Sequence, residues 1–314
     1  MENRGERYFD SSGERKAVVD LILRSESEAR PQPEGFADVF DAKEIERDTR
    51  ELTRVKDKIA QELDHLNFLE RDKIEQGKRR SDALEIIVGD QVELNDWFGP
   101  NAILARTTEY DDFFNGVDAV VEFSVDEEEN PERIALGIDA SMKADMATVE
   151  RKVSRNIEKV VGGRPPAEVK YFESQAADFK GRLEAIVPVV IGMDGEDCDR
   201  LMGLYAQLIK LKRQERTETI KALTREKMLE MQNHPAQRVF LEEMCLQLEM
   251  YLDLLDRESV DSRHSVYKDK VTKALGIIKE ILETKVDIGT ADLTNDGVWE
   301  VINEVVSKKQ KPRY

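Results

Sequence analysis

Two short apolar segments joined by a polar loop constrain the fold of this chain more than any other feature. Residues 116–123 and 134–139 are rich in valine, isoleucine and other strand-forming residues, and the loop 126–132 between them contains Asn130-Pro131. Such runs, bounded by turn residues, predict an antiparallel β-hairpin. Each predicted strand also carries one aspartate.

The neighbouring segments predict a compact core over residues 83–194. Further strands are expected at 103–108, 169–172 and 186–192, and helical periodicity runs from Met142 to Val161 before a Gly-Gly stop. The run at 186–192 is almost wholly apolar, although Pro188 within it indicates a sheet edge or a bulge. The fold class we predict is α+β, with a central mixed β-sheet and flanking helices.

Long charged helices are predicted on both sides of this core. Residues 41–82 predict one long amphipathic helix, in which apolar residues recur near heptad spacing but Asp48 and Glu62 interrupt the seam. Packing within the chain and self-association or partner binding through residues 41–80 are therefore both open. Residues 1–40 predict a mobile leader with one short helix. The region 195–314 predicts helices followed by a basic tail, with the helices expected at 196–231, 235–257, 264–285 and 296–307.

Charge and cysteine content restrict the function. The net charge of −18 repels polyanions at long range, so it disfavours a general nucleic-acid coat. It leaves room for a nuclease, in which a local basic surface or a bound metal dominates at the site. Two cysteines without metal spacing suit a reducing compartment, and no apolar run approaches the ~20 residues of a membrane span. No signal peptide is seen, and we expect a soluble cytoplasmic protein that does not enter a membrane.

The hairpin brings its two aspartates together. An antiparallel pairing of Asp118 with Asp139 centres the connection between residues 128 and 129, in the middle of the polar loop. Cβ atoms of such cross-strand pairs lie about 4.5–5.5 Å apart, and like charges there are destabilising. A divalent cation, a basic side chain or protonation of one acid would relieve the repulsion. Mg²⁺ or Mn²⁺ is the natural metal for such oxygens. The alternative is that the aspartates only hydrogen-bond nearby turns.

In this order of elements the residues resemble the PD-(D/E)XK nuclease-like superfamily, which has a restriction-endonuclease-like core. That core runs helix, three-strand meander, helix, strand. Asp118 matches its first acid and Asp139 its second. The resemblance covers about a third of the chain and implies these elements: a first helix at 41–80 or 84–95, a meander at 101–108, 116–123 and 133–140, a second helix at 142–161, and a strand at 168–173.

The resemblance implies a Mg²⁺-dependent nuclease acting on nucleic acid, with two departures from the motif. Val117 replaces a common proline, and Ser141 stands where the motif has its lysine. The lysine charge would then come from Lys143 or Lys152. Glu109, with Asp111 and Asp112 close behind it, would add an acidic ligand. The resemblance thus implies Asp118, Asp139, Lys143 and Lys152 as catalytic residues, and Asp118, Asp139 and Glu109 as metal ligands.

A second hypothesis is a nuclease-like fold without activity, which serves as a structural or protein-interaction module through its long helices. The two hypotheses predict different surroundings for the aspartates. An open cleft in which Lys143 or Lys152 joins the pair favours the enzyme. Burial of the pair under helices favours the interaction module.

Overall fold

The fold is that of a computed structural model, which describes residues 12–25, 30–125, 132–142, 146–162, 164–257, 262–290 and 297–310. Within these ranges, helices surround a four-stranded sheet and a small two-stranded sheet. The predicted α+β class is therefore confirmed.

The larger sheet contains the predicted hairpin. Its strands are β1 (Ala102–Arg106), β2 (Ala119–Val125), β3 (Glu132–Met142) and β6 (Val187–Met193), in that order across the sheet. The first three form an antiparallel meander, and β6 runs parallel to β3. Ala119 lies opposite Ile138, which is the register that the position of the polar loop predicts.

The strand predicted at 168–173 is confirmed, but it lies outside the larger sheet. It follows α4 (Met146–Val161), and this strand, β4 (Glu168–Glu173), pairs with β5 (Lys180–Glu184) in the separate two-stranded sheet. The place beside β3, which the order of elements in the resemblance gives to the strand after the second helix, is taken by β6. Every residue of β6 is buried, as packing between helices and the sheet requires. Strand β5 was not predicted.

The long helix predicted over 41–82 is two helices, α2 (Ala42–Asp64) and α3 (Phe68–Asn95). The break has a local cause: the Asn67 side chain accepts a hydrogen bond from the Glu70 amide, and the Glu70 side chain accepts one from the Asn67 amide. This capping box starts a new helix without glycine or proline. In α2, Ile45 is buried against the rest of the chain, whereas Ile59 is exposed. Self-association through 41–80 stays a prediction.

The terminal regions also differ from the predictions. The leader contains α1 (Ser12–Leu23), whose Val19 and Ile22 are buried in the main core, so this part is packed rather than mobile. The helix predicted at 196–231 is split, because Thr217 accepts a hydrogen bond from the Ile220 amide and starts a new helix. The C-terminal helices are α5 (Gly195–Lys212), α6 (Glu218–Gln232), α7 (Ala236–Arg257), α8 (Ser262–Thr284) and α9 (Gly297–Gln310).

Helix α7 covers the outer edge of β6. Three of its side chains, spaced four residues apart, bind alternate backbone positions of the strand: Glu243 at Gly192, Gln247 at Val190 and Tyr251 at Pro188. These bonds replace a neighbouring strand, which explains how an apolar strand with a proline lies at the edge of the sheet. Among the described helices, none combines the length and apolar character needed to cross a membrane.

Candidate functional site

The two aspartates meet at one end of the hairpin. Asp118 directly precedes β2, and Asp139 lies within β3; they are 7% and 4% exposed. The Asp118 amide donates to the Ile138 carbonyl at 2.8 Å, which extends the hairpin register to the pair. The Asp118 carboxylate in turn accepts from the Ala140 amide at 2.8 Å. The two acids interact, since the charge of Asp139 helps to raise the pKa of Asp118.

Two cations from α4 bind Asp139. Lys152 Nζ lies 2.6 Å from Asp139 Oδ1, and Arg155 Nη2 lies 3.1 Å from Oδ2. The two cations are three residues apart, so they share a helix face. Lys152 Nζ also lies 3.4 Å from the Ser141 hydroxyl oxygen. Its ammonium group therefore lies beside the residue that occupies the lysine position of the motif. Lys143, the other lysine candidate, is outside the described residues.

Burial raises the pKa of Asp118 well above its ordinary value. The charges of Glu85 and Asp139 add to the effect, and Lys152 opposes it. Burial also tends to lower the pKa of Lys152, but Asp139 and Asp118 outweigh it and the net shift is upward. Lys152 therefore stays an ammonium group. The repulsion in the pair is relieved by cations at Asp139 and by a shift towards the protonated form at Asp118.

A third acid, Glu85 of α3, adjoins the pair and was missed in the sequence. Its carboxylate lies 3.3 Å from Arg106 Nη2 and 3.5 Å from Arg30 Nη2. Burial raises the pKa of Glu85 to about 8, against the opposing charge of Arg30 and with the help of Asp112. The available signal was a lone charge inside the apolar run 84–88. A buried titratable group with a shifted pKa beside other acids is a candidate site residue.

Arg30 reaches this acidic region from the N-terminal segment. Its Nη1 lies 2.9 Å from an Asp112 oxygen, and its Nε donates to the Thr107 carbonyl at 2.9 Å. Burial tends to lower the pKa of Arg30, but Asp112, Glu85 and Asp118 outweigh it and the net shift is upward. The guanidinium is thus a counter-cation for acids from three separate segments. No sequence pattern around residue 30 indicates this role.

Glu109 lies apart from these contacts. Its carboxylate is 2.8 Å from Lys56 Nζ of α2 and is partly exposed. Asp111 is buried and supports the neighbouring backbone, with four hydrogen bonds from Lys170, Tyr171, Thr108 and Asn115. Of the three acids in this segment, Asp112 contributes to the field at Asp118.

The donor set suits a hard divalent cation held by few protein ligands. Within the ranges that the structure describes, no three histidine, cysteine, aspartate or glutamate side chains converge as a preformed metal cage. Mg²⁺ commonly uses one or two carboxylates, with waters and substrate phosphates completing an octahedron. Asp118 and Asp139 supply such a pair. Burial is the main cause of the raised pKa of Asp118, and the charges of Glu85 and Asp139, which a bound cation would offset, add to it.

Arg155 could have been found in the sequence, because it follows Lys152 by three positions on the same amphipathic helix. Arg30 could not, since the partners of its two hydrogen bonds lie 77 and 82 residues away along the chain. Comparison of the chain with protein-family models, with curated proteins and with solved structures found no match.

Proposed function

We propose that this protein is a metal-dependent phosphodiesterase that cleaves nucleic acid, with Asp118, Asp139 and Lys152 at its centre. The observation that carries the proposal is the position of Lys152 Nζ, 2.6 Å from Asp139 and 3.4 Å from the Ser141 hydroxyl oxygen. The ammonium group missing at residue 141 is thus supplied from α4. Two acids and one lysine then have the arrangement that the PD-(D/E)XK resemblance implies.

Each side chain has a distinct task in this proposal. Asp118 and Asp139 would hold Mg²⁺ or Mn²⁺, which supplies a bound water of lowered pKa and charge stabilisation at the phosphate. Lys152, kept cationic by the acids, neutralises a phosphate oxygen and orients the attacking water. Arg155 fixes the second oxygen of Asp139. Local cations also offset the repulsion between an acidic protein and a polyanion.

We also infer that the reaction takes place in the cytoplasm. Cys198 is buried and Cys245 is partly buried, and neither forms a disulfide bond. Burial raises the pKa of the Cys245 thiol to about 11, which keeps it in the less reactive protonated form. Cysteines without disulfide bonds suit a reducing compartment.

A second candidate function is an interaction module without catalysis. The observation that favours it is that both Asp139 oxygens are bound by cations while the pair is almost fully buried. The partner surface would be the tip, the junction between α2 and α3, where Phe68 is 79% and Leu69 is 77% exposed. Adjacent large apolar side chains that are this exposed often mark interaction sites.

The deciding experiment measures cleavage of labelled single-stranded DNA, duplex DNA and RNA with Mg²⁺ or Mn²⁺. We expect cleavage by wild type, and losses of about 10²-fold or more in Asp139→Asn and Lys152→Met. Lys58→Met is the matched control, because Lys58 is an exposed lysine on α2 with its own i,i+4 ion pair. If wild type cleaves no substrate above the Asp139→Asn background, and Mn²⁺ leaves its Tm unchanged, the nuclease proposal is wrong.

The interaction module has its own test. Replacing Phe68 and Leu69 by serine should lower the sedimentation coefficient if the tip joins two copies. Leu229→Ser on α6 is the comparison, because Leu229 is also an exposed leucine but lies on another helix. A coefficient that is the same in wild type and in the tip variant, over a wide concentration range, would rule out self-association through the tip.

A further inference from the structure

A cavity of about 540 Å³ adjoins the acid pair through Arg155. It is bounded by α4, by the turn before β2, by the α4–β4 connection and by the ends of the β4–β5 hairpin. Arg155 lines the cavity and also binds Asp139, so one side chain belongs to both places. A ligand in the cavity would therefore lie next to the acids.

Three cations and two carboxylates line the cavity. Arg155 and Lys159 lie four residues apart on one face of α4, and Arg164 follows the end of that helix. The lining carboxylates are Glu168 and Glu184, and Glu168 has a partner in Arg182 at 3.5 Å. Arg164 is also paired with Glu158, which lies outside the lining. Burial, reinforced by the charges of Arg155 and Arg164, lowers the pKa of Lys159 to about 8, and a bound anion would oppose this shift.

The shared guanidinium is held in a fixed position. Gly116 has a positive φ of 64°, and a side chain there would overlap the Arg155 guanidinium. Glycine thus provides both the left-handed backbone and the space for Arg155. The buried Arg155 Nε has no hydrogen-bond partner among the described residues. An unsatisfied buried donor of this kind is uncommon in folded proteins, and it belongs to a side chain that lines the cavity.

From these contacts we propose that the cavity binds a phosphate monoester, and that its natural source is the terminal phosphate of a nucleic acid. A monoester carries about −1.5 to −2 charges near neutral pH, more than the single charge of an internal phosphodiester. Three clustered cations discriminate between the two. Phe114 lines the same cavity and is partly exposed, so its ring is available to stack on the terminal base. The assignment to nucleic acid rests on the proposed nuclease function.

Binding without metal tests this inference separately from cleavage. In EDTA, fluorescence anisotropy would compare one labelled single strand with a 5′-phosphate, a 3′-phosphate or hydroxyl ends, and inorganic phosphate would serve as a competitor. We expect one phosphorylated end to bind wild type on the order of tenfold more tightly than hydroxyl ends. Lys159→Met and Arg164→Gln should each remove most of this preference. Arg151→Gln should retain it, since Arg151 is an exposed arginine of α4 outside the cavity lining.

The outcomes separate the sources of the phosphate. Competition by inorganic phosphate without any end preference would support the phosphate site and assign it to a small phosphate ester. Equal binding of all three strands by wild type, with no competition and no shift of Tm by phosphate, would overturn the proposal. If wild type cleaves nucleic acid but shows no preference for a phosphorylated end, the cavity does not bind the terminal phosphate. The nuclease proposal would be unaffected by that result.

Discussion

Replacing Gln247 by leucine should destabilise the protein more than Tyr251→Phe on the same helix. Gln247 is fully buried, and its Oε1 accepts from the Val190 amide at 2.9 Å. Its Nε2 donates to the Val190 carbonyl at 2.7 Å and to the Glu243 carbonyl at 2.9 Å. One side chain therefore satisfies both backbone groups of a residue at the edge of the sheet, as a neighbouring strand would.

The expected loss follows from those contacts. Leucine fills a similar volume but leaves the Val190 amide and carbonyl buried without partners. Each unsatisfied group costs about 1–3 kcal/mol, so the free energy of unfolding should fall by about 2–6 kcal/mol. Tyr251→Phe removes a single bond, the one from its hydroxyl to the Pro188 carbonyl, and should cost about 1–3 kcal/mol.

Urea unfolding, followed by circular dichroism and by tryptophan fluorescence, would measure these changes. Gln207→Leu is the control, because Gln207 is an exposed glutamine on α5 and its replacement should change stability by less than about 0.5 kcal/mol. The reasoning would be refuted by a Gln247→Leu protein that is as stable as the control. Asp139 pairs with Val190 in the parallel register, so Gln247→Leu should also reduce cleavage.

Three further changes test other parts of the charge network. Burial lowers the pKa of His234 to about 4, below its unfolded value of about 6.5, so its stabilising contribution is complete above pH 6.5 and is lost as pH falls to 4. His234→Gln should reduce the change in the free energy of unfolding between pH 6.5 and 4 by about 3 kcal/mol, as measured by urea unfolding, and an unchanged pH dependence would contradict the shift. Arg30→Gln removes a cation beside Glu85 and should tighten Mn²⁺ binding, measured by electron paramagnetic resonance, by about tenfold; an unchanged Kd would show that Arg30 does not oppose the metal. Lys170→Met removes the buried cation beside Asp48 and leaves it only the exposed Arg47 and the Tyr171 hydroxyl, so it should cost about 3–5 kcal/mol; adding Asp48→Leu should restore part of the loss, and additive losses would exclude coupling.

The register of the central hairpin was predictable because two local features agree. Strand residues alternate between faces, and the polar loop fixes the centre of the turn, so the pairing of Ala119 with Ile138 followed from position alone. The same register predicts that Asp118 and Asp139 lie opposite each other. The position of Lys152 near the pair was also predictable, because Lys152 lies on the helix that follows β3 and returns along the sheet.

Other features depend on contacts that sequence distance conceals. Asp48 interrupts the apolar seam of α2, so the sequence indicates a break in the buried face of this helix. In the structure Asp48 is buried and bonded to Lys170, which lies 122 residues further along the chain. The choice between β4 and β6 as partner of β3 depends on which strand the helices cover. The breaks before α3 and α6 depend on caps formed by Asn67 and Thr217, and such polar residues are common within helices as well.

Two buried charge clusters among the described residues differ in how fully their hydrogen-bonding groups are satisfied. Around Asp48 the groups satisfy one another: Tyr171 and Lys170 bind one carboxylate oxygen, and Arg47 binds the other. Beside Asp139 and Glu85, by contrast, buried donors at Arg155 Nε and Arg30 Nη2 have no hydrogen-bond acceptor within the described residues. Unsatisfied buried donors cost about 1–3 kcal/mol each and are uncommon in folded proteins. Stability alone would favour the first arrangement, and Arg79 Nε and Arg80 Nε show that unsatisfied buried donors also occur elsewhere in the described residues. Under the proposed function, oxygens of a bound phosphate would be the acceptors next to the two aspartates at the end of the hairpin.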